Sequence, residues 1–131
     1  MAFSIDSYIE LLALNRALME AKFSNDPNDN DIAASPIVAS IVRRLIDELT
    51  IMHERADVKT LPSLDWKAWC KEGPGEREMS IIRRNLTKIS FWNDLDNEQR
   101  SDYIENLIAP FVVDNDSFSE LLEYADKHNK K

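Results

Sequence analysis

The stretch that most constrains this chain is SPIVASIVRRLIDELTIMHER, from Ser35 to Arg55. Ile37, Val38, Ile41, Val42, Leu45, Ile46, Leu49 and Met52 recur at three- and four-residue steps, which places them on one side of a helix turning about 100° per residue. Ser40, Arg43, Asp47, Thr50 and Glu54 fall on the other side. Ser35 suits the N-cap, and Pro36 suits the first helical position, where a missing N–H costs nothing. The spacing also predicts two ion pairs four residues apart, Arg43 with Asp47 and Arg44 with Glu48. So wide an apolar stripe has to be buried against other elements. Tight β-hairpins lean on glycine, and the chain has only Gly73 and Gly75, so those elements are expected to be helices.

Periodicity supplies them. A first helix is predicted from about Ser4 or Asp6 to Phe23, with Ile5, Tyr8, Ile9, Leu12 and Met19 sharing a face that Asn15 and Arg16 interrupt. SNDPNDNDIAA then reads as a loop, since these residues bond their own backbone. A short amphipathic piece is predicted from Ser63 to Lys71, capped by Ser63, grouping Trp66, Trp69 and Cys70 and stopped by Gly73-Pro74-Gly75. A third long helix spans about Glu76 to Phe91, and a fourth follows Asp96, whose spacing to Gln99 is that of a capping box, and ends at Pro110. PFVVD reads as a brief extended segment. A fifth helix starts at Asp116 or Ser117, and HNKK is expected to fray. The expected fold is an all-α single-domain bundle of five main helices and a short sixth, packed mostly as antiparallel neighbours.

Several chemistries find no foothold. Asp26, Asn28 and Asn30 imitate the start of a calcium loop, but Asp31 stands where glycine is needed and Ile37 where the bidentate glutamate belongs. Asp94, Asp96, Glu98 and Glu105 fail likewise, with Gln99 in the glycine position. His53-Glu54 begins like a zinc-protease helix, yet the second histidine position is Asp57. Neither a phosphate-binding glycine loop nor a nucleophile elbow is present. Cys70 cannot form an internal disulfide, and a packed thiol is expected. No metal, cofactor or catalytic residue is assigned. The sequence lacks an apolar run of the roughly 18 to 20 residues that span a bilayer, and MAFSIDSYIELL lacks a basic signal region, so a cytoplasmic, non-membrane protein is expected.

Charge gives the functional expectation. The net charge of −8 is unevenly placed, with both ends acidic and the middle mildly basic: residues 93–131 hold ten acids against Arg100, Lys127, Lys130 and Lys131. An acidic surface suits a basic protein partner. The candidate partner-binding residues are Asp94, Asp96, Glu98, Asp102, Glu105, Glu120 and Glu123, with Trp66 and Trp69. Tryptophan is a frequent interface anchor, although a large indole also lids a small core. The function expected is a non-catalytic protein-binding domain of the inhibitor or immunity type. The competing reading is a nucleic-acid-associated regulator using the basic stripe Arg77, Arg83, Arg84 and Lys88. Self-association is left open.

Overall fold

The computed structural model describes residues 5, 7–24, 30–55, 65–87 and 89–129, without the side chains of Asn30, Asp31, Glu54 and Arg55. They form α1 (Tyr8–Lys22), α2 (Asn30–Ala33), α3 (Pro36–Arg55), α4 (Trp66–Glu72), α5 (Glu76–Asn85), α6 (Asn97–Ile108) and α7 (Asn115–His128). A 3-10 turn, Trp92–Asp94, precedes α6, and no strand occurs among the described residues. The fold is the expected all-α bundle.

Local chemistry sets most boundaries. The Ser35 hydroxyl accepts the Val38 N–H at 3.2 Å, as predicted. The Asp96–Gln99 capping box closes in both directions, at 2.8 and 3.0 Å. The first helix starts later than predicted because Ser7 is its cap. The cap of α4 is Asp65, which accepts the Ala68 N–H at 3.1 Å; the predicted cap, Ser63, lies outside the described residues. Gly73 ends α4 at φ +82°, a conformation that side chains resist. Part of the predicted loop after α1 forms the single turn α2, while Asp26 and Asn28 lie outside the described residues.

The largest correction concerns α5, which ends at Asn85 rather than near Phe91. Asn129, just past α7, holds the break. Its carboxamide donates to the carbonyls of Leu86 and Ala125, and its oxygen accepts the Ile89 N–H at 3.0 Å. Of the C-terminal HNKK predicted to fray, His128 belongs to α7 and Asn129 is fixed by these bonds, while Lys130 and Lys131 lie outside the described residues. The freed segment drops Trp92 into the interior, fully buried, where its indole N–H donates to Asp126 at 2.8 Å and Arg100 lies over the ring. Asp126, which takes this bond, is half-buried.

Two large apolar groups lie in the interior, with a small third one of Ala39, Val42 and Ala109. Leu11, Leu45, Ile46, Leu49, Trp66 and Cys70 join α1, α3 and α4. Ile82, Leu86, Trp92, Ile104, Leu107, Leu121 and Ala125 join α5, α6 and α7. Trp69 packs on both groups, touching Trp66 edge-on at 5.6 Å and Phe111 at 5.0 Å, and Phe111 in turn meets Phe23 at 5.6 Å. Tyr8 lies near His53 while Leu18 packs by Ala39, so α1 and α3 run antiparallel. Arg100 near the start of α6 pairs with Asp126 near the end of α7, so these two are antiparallel as well. α5 and α7 run parallel, since Met79 lies beside Ser117 and Leu86 beside Asn129.

One buried cation joins the two halves. Lys22, at the end of α1, is 1% exposed, and its ammonium donates to the carbonyls of Ala33 (2.7 Å), Asn106 (2.8 Å) and Leu107 (3.3 Å). The need for it is written in α6. A helix leaves its last carbonyls without partners, and the next N–H that would reach Asn106 belongs to residue 110, a proline with none. Ala109 and Phe111 donate to Glu105 and Ile108, so Asn106 and Leu107 are the two left for Lys22. α6 has no basic residue in its own last turn. Lys22 and Arg43, which donates to the Glu105 carbonyl at 3.1 Å, bring positive charge to that negative helix end from elsewhere. The Arg43–Asp47 pair predicted on α3 does not form, because Arg43 reaches α6 and Asp47 pairs with Lys67.

Burial, and then the nearby Arg43 guanidinium, push the Lys22 ammonium down from the usual 10.5 to about 7. Lys22→Met keeps the stem and removes the donors, orphaning buried carbonyls. It is expected to lower the unfolding free energy by about 2 to 4 kcal/mol, read as a lower urea midpoint. Between pH 7 and 10.5 the unfolded chain holds a proton that folded Lys22 releases. Stability of the native lysine protein should therefore rise relative to the methionine variant as pH increases through that window, and the gap should be flat below it. A gap that narrows with rising pH would contradict the shift.

Candidate protein-binding surface

The acids of the C-terminal half are arranged by helix period. On α6, Glu98, Asp102 and Glu105 follow at i, i+4 and i+7, which aligns them on one face opposite the buried Ile104, Leu107 and Ile108. On α7, Asp116, Glu120 and Glu123 repeat that spacing opposite Leu121 and Ala125. All six are exposed. Acids near a helix start are also favoured there by the dipole, which accounts for Glu98 and Asp116 but not for the four further along.

Among the described residues the ion pairs are Lys67 with Asp47, Arg77 with Glu78 and Arg100 with Asp126. None neutralises either acidic stripe. The reason lies in where the cations go. Lys22 and Arg43 hold the end of α6, and Arg100 donates to the Trp92 carbonyl at 3.2 Å. Arg77 donates to the Phe23 carbonyl at 3.0 Å and Arg84 to that of Ser24 at 3.1 Å, so both serve the end of α1. These five basic side chains donate hydrogen bonds to backbone oxygen, and the acids of the two stripes are left facing water.

Where α6 and α7 meet, a cleft of about 540 Å³ opens, floored by Ile108, Pro110, Phe111 and Phe118 and edged by Glu105, Asn115 and Arg43. Val112 on its wall is exposed. An apolar floor beside acidic helices can receive an apolar anchor from a basic surface.

Not every candidate from the sequence lies there. Trp66 is buried and donates its indole N–H to the Tyr8 hydroxyl at 3.1 Å, and Trp69 is half-buried between Trp66 and Phe111, so the pair lids the interior. Asp96 is exposed but occupied as the α6 cap. Asp94 is exposed in the 3-10 turn. Of the basic stripe, Arg77 and Arg84 are held as described, Arg83 is exposed in a groove of about 740 Å³ with Ser80, Thr87 and Tyr124, and Lys88 lies outside the described residues. Arg77 and Arg83 stay exposed on α5, while Arg84 is partly buried. Asp114 and Asp116 were not singled out from the sequence. Asp114 caps α7, and the Ser117 backbone N–H holds its carboxyl below the usual carboxylate range. The i, i+4, i+7 spacing of Asp116, Glu120 and Glu123 is the signal that finds Asp116.

Lys22 was missed outright, because a lysine at a helix end reads as solvated. Asn15 is buried with its side-chain oxygen unpartnered, and Arg16 is exposed. No group of three or more His, Cys, Asp or Glu able to hold a metal occurs among the described residues, and none of their helices is long and apolar enough to cross a membrane. No family model, curated protein or solved structure matches the chain.

Cys70 is buried as a packed thiol, and burial raises its pKa, with Lys67 opposing and Asp47 reinforcing the rise. Its reaction with an aromatic disulfide reagent is expected to be about a hundredfold slower in the folded protein than in denaturant. Equal rates in the two states would show that α4 does not pack Cys70 against α1 and α3.

Proposed function

We propose that this chain is a non-catalytic protein-binding domain of the inhibitor or immunity type, which engages a basic partner protein through α6 and α7. The observation that carries this reading is the pair of acidic stripes, Glu98/Asp102/Glu105 and Asp116/Glu120/Glu123, exposed and without ion-pair partners among the described residues. Carboxylates left uncompensated on two neighbouring helices create a negative field that accelerates encounter with a cationic surface and repels acidic ones. The cleft between the helices supplies the apolar contact that charge alone lacks, since affinity rests on a few desolvated anchors and the charged rim mainly sets rate and selectivity. Phe111 and Phe118 at its floor are the surfaces such an anchor would meet.

The partner should be recoverable from a lysate of the source cell on the immobilised protein at low salt, and released as salt rises. The triple variant Glu98→Lys/Asp102→Lys/Glu105→Lys leaves the helix cap and core untouched and is expected to slow association about tenfold or more. Surface plasmon resonance on the captured protein measures this. A captured protein that binds the variant at the wild-type rate, or capture insensitive to salt, would contradict the proposal.

A further inference from the structure

A second surface remains on α3. Ile37 is 71% exposed, Ile41 37% and Ile51 39%, although the apolar pattern of the sequence assigns Ile37 and Ile41 to the buried side. With Arg44 and Glu48, also exposed, they occupy positions 37, 41, 44, 48 and 51. The steps of four, three, four and three residues are those of a two-helix seam, on which a helix presents one narrow stripe to a partner helix. Beside this stripe runs a groove of about 590 Å³ walled by Leu11, Leu14, Leu18 and Leu45. The helix bundle leaves this seam unpartnered.

We propose that the α3 seam binds the α3 seam of a second copy, antiparallel, about a two-fold axis level with residue 46. The charge order along the helix selects this occupant. In the antiparallel register centred there, Arg44 of each copy faces Glu48 of the other, and Ile41 of each faces Ile51 of the other. Both matches occur twice, as a two-fold interface requires. A parallel pairing would set Arg44 against Arg44 and Glu48 against Glu48, which costs energy instead of gaining it. Arg44 and Glu48 are available, because the intrahelical pair that their spacing predicts is not among the ion pairs of the described residues. Asp47, the acid just before Glu48, lines the same groove but is taken by Lys67. This surface is built from α3 and α1 residues and shares none with the acidic stripes of α6 and α7, so dimerisation and partner binding are separable.

Sedimentation velocity on the full-length protein over a concentration series tests it. The wild type should pass from monomer to dimer. Arg44→Glu alone places four acids at the centre of the seam, and Glu48→Arg alone places four cations there. Each single variant should weaken the dimer at least tenfold, whereas an equimolar mixture of the two restores opposite-sign contacts and should dimerise like the wild type. These are exposed positions, so circular dichroism should show both variants folded. A wild type that stays monomeric throughout, or a mixture no more associated than either variant alone, would overturn the proposal.

Discussion

The arrangement depends on three carbonyl groups finding one ammonium. Pro110 ends α6 but withholds the N–H that would have satisfied Asn106, and α6 has no cation of its own in its last turn. Lys22 answers from the end of α1, reaching Asn106 and Leu107 on α6 and Ala33 at the end of α2. As an ammonium it has three donors for three acceptors. Losing the proton would leave two donors and abandon one carbonyl. Burial, and then the Arg43 guanidinium, oppose the charge and push the Lys22 ammonium down to about 7. The contact is between sequence-distant elements and fixes how the α1–α3–α4 half meets the α5–α6–α7 half.

The same principle runs through the bundle. Arg43, Arg77, Arg84 and Arg100 each donate to a backbone carbonyl of another segment. Most cross between sequence-distant elements, so they tie the fold together more firmly than surface ion pairs of the same charges, which are worth little. This leaves an electrostatic asymmetry. Cations committed to backbone carbonyls do not neutralise the acids of α6 and α7, and those stripes carry unbalanced negative charge. Structural use of the basic residues and the proposed use of the acidic ones are thus two sides of one distribution.

What the sequence made legible was local. The helix of Ser35 to Arg55, its serine cap, the Asp96–Gln99 box and the stop at Pro110 all follow from short-range chemistry, and the fold class follows from periodicity with little glycine. What stayed hidden needed distant partners. Asn129 cuts α5 short from more than forty residues away, so the periodicity through Ile89 overran the true end. The near-identical pentapeptides Ser40–Arg44 and Ser80–Arg84 show the same limit. On α3 the first arginine, Arg43, reaches a carbonyl, while on α5 it is the second, Arg84. Near-identical local sequence cannot say which arginine meets a neighbour. The acidic residues were found as a composition, and the helix spacing gathers them into two faces. Trp66 and Trp69 went to the interior because Tyr8 and Phe111 were there to receive them.

The most direct test is nuclear magnetic resonance of the Lys22 side chain, labelled with 15N and followed through pH. A buried ammonium bonded to three carbonyls should give a resolved, slowly exchanging Nζ signal that titrates near 7. A lysine signal that exchanges rapidly and titrates at the usual 10.5 would mean that Lys22 faces water and that α1 and α6 are held together by something else.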